Sequence, residues 1–250
     1  MSRTDFKDHF SAVAQDYARA RPGYPEALFD WIAAQAPARD LAWEAGCGSG
    51  QASRGLAARF AAVHASDASA GQIAQASAPA NVHFAIEPAE HCSLADASAD
   101  VACVAQAMHW FDTSAFFAEC TRVLRPGGLL VAWSYDGLRV PEPVAGAVAA
   151  FSREILPWWP EERGLVGTAY AGFDWPFEAV EAPAFPLEAD WPLARLLGYF
   201  SSYSATRRMR AATGIDPVAA HAPAIARAWG DPDATRRLQW PLFVHARRKR

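Results

Sequence analysis

The chain has 250 residues, 52% of them hydrophobic, and a formal net charge of −4. That length suits one α/β domain carrying an insertion, and the apolar fraction is ample for a sizeable core. The acidic balance excludes an overall basic field of the kind that gathers nucleic acid, and no run reaches the roughly 18 apolar residues of a membrane span.

Residues 5–21 set Phe6, Phe10, Val13 and Tyr17 near helical period, and Arg21-Pro22-Gly23-Tyr24-Pro25 stops that helix. A second helix is expected over 26–35, with Leu28, Trp31 and Ile32 on one face. A short apolar run, 41–44, then ends in Glu44. Gly46, Gly48 and Gly50 follow at every second position, and a helical pattern starts at Gln51. This reads as strand, tight turn, helix. Glycines permit positive φ and a close approach of backbone to a ligand, and the helix start behind them favours a small, polar, partly anionic guest.

Residues 62–66 read as a second strand ending at Asp67, 70–78 as a helix, 81–86 as a third strand and 99–105 as a fourth. An amphipathic helix is expected over 113–124, with Phe116, Phe117, Cys120, Val123 and Leu124 on its apolar side. After Arg125-Pro126-Gly127-Gly128 comes a fifth strand, 129–133. Strands alternating with helices predict a parallel sheet wound on both faces, with ligands at the carboxyl ends of the strands. From 136 the alternation breaks. The stretch 138–200 is rich in Pro, Trp and Phe, with helical pieces at 144–155 and 192–201, and reads as an insertion. A closing strand pair is expected at 177–182 and 238–247, with helices over 191–210 and 217–229 before the last strand. The basic tail Arg247-Arg248-Lys249-Arg250 reads as a solvated terminus.

The glycine turn decides between ligands. A dinucleotide site wants G-x-G-x-x-G, but here Gln51 holds that third position and the glycine falls one early. Glu44 would repel a pyrophosphate, whereas it suits an ammonium group. Asp67, about 20 residues past the turn, is an acceptor-only carboxylate able to take two ribose hydroxyls, or alternatively a helix N-cap. In Glu87-Pro88-Ala89-Glu90 the Ala89 N–H and the Glu90 side chain offer a donor and an acceptor for an adenine edge; Glu90 also reads as an ordinary surface acid. After the fourth strand, Gln106 can bond cofactor or substrate. His109, titrating near neutrality, is either a general base or oxyanion partner or a hydrogen-bonded structural residue. Trp110 and Phe111 read as core or adenine-flanking aromatics.

Taken together, Tyr17-x-x-x-Arg21-Pro22-x-Tyr24-Pro25, Glu44-x-Gly46-x-Gly48-x-Gly50, Pro88-Ala89-Glu90, Gln106-Ala107-x-His109-Trp110-Phe111 and Arg122-Val123-Leu124-Arg125-Pro126-Gly127-Gly128 resemble the class I S-adenosylmethionine (SAM)-dependent methyltransferases. Within them the chain is most similar to the small-molecule branch that includes trans-aconitate methyltransferases. The resemblance spans residues 5–135 and extends more weakly to Gly198-Tyr199-x-x-Ser202-Tyr203-Ser204-Ala205 and Trp240-Pro241-Leu242-Phe243. It implies a Rossmann-like, seven-stranded, mostly parallel sheet with a reversed last hairpin, an N-terminal helical lid and an inserted cap after the fifth strand. Residues 1–137 would form the SAM-binding core with its lid. Residues 138–250 would form a substrate-side cap and the closing strands of the same domain.

Carried over residue by residue, Glu44, Gly46 and Gly48 surround the methionine part of SAM, Asp67 takes the ribose, Ala89 and Glu90 take the adenine, and Gln106 lines the site. Arg21, with Tyr17 beside it on the lid, would pair with a carboxylate of SAM or substrate, or else be a structural Arg beside the proline turn. His109 would be the catalytic residue. Many relatives carry Asp where this chain has Pro88, which shifts adenine recognition toward Glu90 and the backbone. The expected activity is methyl transfer from SAM to an oxygen or nitrogen of a small organic molecule, leaving S-adenosylhomocysteine. A SAM-binding protein without catalysis and a nucleotide-cofactor oxidoreductase are the competing readings. The four Cys (47, 92, 103, 120) show no C-x-x-C spacing and no His cluster, so no metal or disulfide framework is suggested. The start, 2–9, is polar and charged, without a signal-peptide apolar region. These features predict a cytoplasmic protein with a small-molecule substrate, no nucleic-acid or membrane partner, and an oligomeric state left open, a monomer included.

Overall fold

A computed structural model describes residues 21–250; the helix expected over 5–21, with Tyr17, lies outside them except for Arg21. The alternating half of the chain folds as α1 (Glu26–Gln35), β1 (Leu41–Ala45), α2 (Gln51–Ala57), β2 (Ala62–Asp67), α3 (Ala70–Ile73), β3 (Val82–Ile86), β4 (Ala99–Ala105), α4 (Thr113–Val123) and β5 (Leu124–Tyr135). The rest adds α5 (Glu142–Ile155), α6 (Arg163–Gly167), β6 (Glu178–Val180), β7 (Leu187–Trp191), α7 (Leu193–Ser201), α8 (Ser204–Thr213), α9 (Pro217–Trp229), β8 (Arg236–Trp240) and β9 (Leu242–Arg248). The main sheet has seven strands in the order β3-β2-β1-β4-β5-β9-β6. β1 to β5 pair in parallel, and β9 runs antiparallel between β5 and β6. This is the mostly parallel, Rossmann-like sheet with a reversed last hairpin that the motifs imply.

Period-two alternation explains how one strand serves two cores. On β5, Leu129, Val131 and Trp133 pack with Leu28, Phe29 and Ile32 of α1 and Leu56 of α2. Leu130 and Ala132 face the opposite way, toward Phe116, Cys120 and Val123 of α4. α1 closes on α2 at Gly55, where a Cβ would sit 2.3–2.5 Å from three atoms of the Phe29 ring. Asp100, fully buried at the start of β4, is explained by its partners. It accepts the N–H groups of Asp40 and Leu41 and pairs with Arg125 at 2.9 Å, so a charge in the sheet anchors the start of β1.

Four of the expected elements differ in the structure. The strand expected over 238–247 is broken at Pro241, which has no N–H to donate. The chain switches there from β8, paired with β7 in a separate two-stranded sheet, to β9 in the main sheet. The helix expected over 191–210 is two, α7 and α8, and that over 70–78 shortens to α3. The basic tail is structural: β9 runs to Arg248, Lys249 Nζ donates to the carbonyls of Thr121, in the last turn of α4, and of Leu124 just after it, and Arg250 pairs with Glu178. α5, α7, α8, α9, β7 and β8 share a third core around Phe151, Leu196, Phe200, Trp191, Trp229 and Trp240. Among the described residues no helix is long and apolar enough to cross a membrane.

Candidate active site

The carboxyl ends of β1, β2, β4 and β5 define the candidate site. At the end of β1, Gly46, Gly48 and Gly50 all take positive φ (69°, 55° and 83°), which glycine alone adopts cheaply. A Cβ on Gly46 would come within 2.6 Å of Ala107 Cβ, and one on Gly50 within 2.9 Å of Phe84 Cζ. On Gly48 its nearest neighbour would be Gln72 Oε1 at 3.8 Å. The middle of the turn is therefore the stretch of bare backbone open to a guest.

Asp67 secures this turn from β2. Its Oδ2 accepts the Gly48 N–H and its Oδ1 accepts the Ser69 N–H, both at 2.8 Å. The carboxylate is partly exposed beside the turn, as a ribose partner must be. The N-cap of α3 is Ser69, whose hydroxyl accepts the Gln72 N–H, so the N-cap alternative for Asp67 does not hold.

Glu44 stands near the end of β1, just before the turn. Its side chain is buried, 1% exposed, and Ser53 of α2 donates to its Oε2 at 2.5 Å. Burial pushes its carboxyl from 4.5 up to about 8, the Ser53 bond opposing and the Asp67 charge adding. The folded chain thus binds a proton across this interval that the unfolded chain releases. The contribution of Glu44 to stability is full below the lower value and is lost as pH rises through the higher one. Melting temperatures of the wild type should fall relative to those of Glu44→Gln between about pH 5 and about pH 8. Parallel curves for the two proteins would mean that Glu44 stays ionised.

Ala89 is buried while Glu90 is partly exposed, its Oε1 accepting the Asp112 N–H at 2.8 Å. The loop that carries them is gripped from α4. Glu119 accepts the Cys92 N–H, and Arg122 donates to the carbonyls of Cys92 and Leu94 and pairs with Glu119 and Asp96. Gln106 ends β4 with φ +57°, a conformation that costs a non-glycine residue about 1–3 kcal/mol and collects at functional sites. Its side-chain amide donates to the Tyr135 carbonyl at 2.9 Å, bracing the ends of β4 and β5.

His109 lies in the 3-10 turn Met108–Trp110 that follows. Its expected titration near neutrality is overturned: burial, then the nearby Arg163 charge, push its pKa down to about 3. The ring is neutral, and Nδ1 lies 3.2 Å from the Tyr170 hydroxyl. Arg21 donates to the Tyr135 hydroxyl at 3.4 Å and lies over the rings of Tyr199 and Tyr203, 5.2 and 5.7 Å from their centroids. The Pro22 carbonyl accepts from Gln51 Nε2. The segment around residue 21 thus joins the glycine turn, β5 and the third core. Tyr17 lies outside the described residues.

Arg163, bound through both terminal nitrogens to Asp136 just past β5, and Tyr170 are members of the site that the sequence does not reveal. Their contacts span long separations, and the only local signal is a short aromatic-rich stretch, 170–177. Its Phe173 stacks on Tyr170 and its Trp175 on His245.

Comparison with known proteins agrees with this geometry. The methyltransferase domain family matches residues 43–132, from β1 into β5. A protein of Dictyostelium discoideum named as a methyltransferase is 32% identical over 206 residues, covering 80% of this chain and 78% of its own. A Mycobacterium tuberculosis methyltransferase of uncharacterised activity is 37% identical over 131 residues, 52% of this chain and 53% of its own. A solved structure described as a type II methyltransferase from Anaeromyxobacter dehalogenans superposes with a TM-score of 0.86 at 45% identity, covering 91% of this chain and 97% of that one. The glycine turn, the strand order and these relatives agree: the chain belongs to the class I SAM-dependent methyltransferases.

Proposed function

We propose that this enzyme moves the methyl group of SAM to an oxygen, or a nitrogen, of a small organic molecule, as in the branch that includes trans-aconitate methyltransferases. The observation that carries the cofactor assignment is the left-handed Gly46–Gly50 turn, open at Gly48 and fastened to Asp67. A methionine chain fits bare backbone of that kind, and a ribose fits the partly exposed carboxylate beside it. When bound, SAM supplies a methyl group already activated by its sulfonium, so the chain's own task is to bind, align and exclude water.

In this reading Glu44, Gly46 and Gly48 surround the methionine part, with Glu44 braced by Ser53 of α2. Asp67 accepts the ribose hydroxyls. The Ala89 N–H and Glu90 recognise adenine, and Gln106 walls the site where β4 and β5 end. Arg21, with Tyr17 on the lid, holds a carboxylate of cofactor or substrate. His109 meets the methyl acceptor. Residues 1–137 act as the cofactor-binding core, and 138–250, beyond the strands they give to the sheet, as the cap that selects the acceptor. The four cysteines are free and buried, which fits work in the reducing cytoplasm.

Calorimetric titration of the full chain with SAM and with NADH tests the cofactor. Binding of SAM and none of NADH is expected; preference for NADH would end the reading. Incubation with SAM and a panel of carboxylic acids, phenols and amines should release S-adenosylhomocysteine with at least one of them. Binding without turnover on any acceptor would favour the non-catalytic alternative.

A further inference from the structure

Tyr170 is fully buried beside His109. It is delivered by unusual backbone: Ala169 and Tyr170 are consecutive non-glycine residues with positive φ, 52° and 58°, a conformation L residues avoid. The surroundings hold it there. His245 on β9 donates from Nε2 to the Ala169 carbonyl at 2.6 Å. Phe173 stacks on the Tyr170 ring, with centroids 5.3 Å apart and planes at 15°. Upstream, Arg163 fastens the same segment to Asp136 past β5. A strained turn anchored at both ends thus brings one phenol to within 3.2 Å of His109 Nδ1.

We propose that Tyr170 is a positioning residue whose O–H donates to Nδ1 of His109 and fixes the imidazole as the Nε2–H tautomer. This rests on the reading that His109 meets the methyl acceptor. Two neutral groups face each other here, and either could donate. A phenol is a far stronger acid than a neutral imidazole N–H, so O–H···N is the favoured direction. Burial pushes the phenol's pKa up and keeps its proton on, while burial and the Arg163 charge keep the ring neutral.

With Nδ1 occupied, Nε2 is the nitrogen left for the acceptor, and it carries a hydrogen. His109 is then a hydrogen-bond donor that orients the acceptor atom, and it takes no proton from it. The acceptor must arrive with its lone pair available. Its new bond to the methyl carbon forms as the carbon–sulfur bond breaks, that electron pair leaving on sulfur.

Long-range proton–nitrogen NMR on the 15N-labelled full chain tests this without turnover, with the His109 signals assigned by their loss in His109→Gln. At neutral pH the wild type should show a pyridine-like Nδ1 and a pyrrole-like Nε2. Tyr170→Phe should shift His109 toward a mixture of tautomers and lower kcat by about tenfold, the effect of one lost hydrogen bond, with KM and S-adenosylhomocysteine affinity little changed. A wild-type Nδ1–H tautomer, a protonated ring at neutral pH, or an unaltered tautomer in Tyr170→Phe would each overturn the proposal. The wild-type spectrum decides even if the variant misfolds. Failure of the methyl-transfer reading shows separately, as absence of S-adenosylhomocysteine release by the wild type with any acceptor.

Discussion

Asp67→Ala is expected to weaken SAM binding by roughly 10- to 100-fold, the effect of about 1.5–3 kcal/mol for lost hydrogen bonds to a charged group. Two losses coincide in this variant. The Gly48 and Ser69 N–H groups lose acceptors at 2.8 Å, so the turn slackens. The ribose loses a partner able to take both of its hydroxyls. Asp67→Asn is not a rescue, because its NH2 would confront one of the two backbone donors. Calorimetry with SAM and with S-adenosylhomocysteine should show the same loss for both, since both carry the ribose. Unchanged affinity in Asp67→Ala would mean that the carboxylate serves the turn alone.

The second large effect falls on Gly46→Ala. A residue with a Cβ at φ +69° carries about 1–2 kcal/mol of backbone strain. The added carbon would also lie 2.6 Å from Ala107 Cβ and 3.0 Å from Phe111 Cζ. Forcing the loops after β1 and β4 apart adds about 1–3 kcal/mol. The sum is a large fraction of the 5–15 kcal/mol or so by which domains are stable. Gly48→Ala separates the two causes: its φ is also positive, but its nearest atom would be Gln72 Oε1 at 3.8 Å. Chemical denaturation should therefore show Gly46→Ala to be the more destabilised of the two. Equal losses would mean that the contact with Ala107 relaxes freely.

The first half of the chain was readable because each element there is short, local and bounded by its own punctuation. Apolar runs end at Glu44, Asp67 and Gln106, and Arg125-Pro126-Gly127-Gly128 separates α4 from the apolar part of β5. β7 and β8 were not readable as a pair, because Leu187 meets Trp240 across a long stretch of chain and five-residue alternation alone does not say which strand is the partner. The family and its cofactor followed from Glu44 and the glycines, yet the burial of Glu44 behind the turn did not. That depends on Ser53 coming round on α2 to meet it. His109 was found from its position after β4. Its titration near neutrality did not hold, because the burial that mainly lowers its pKa, and the Arg163 charge that adds to it, arise only in the fold.

The placement of β9 constrains how the chain is made. β9 is the shared neighbour of β5 and β6, and β6 ends at Val180 whereas β9 begins at Leu242. During synthesis β5 and β6 must both wait, their inner edges bare, until residue 248 clears the ribosome. An uncovered strand edge is a template for pairing with another chain. A nascent chain stalled before 242 should therefore depend on chaperones, and a stop codon there should yield inclusion bodies in place of a smaller folded product.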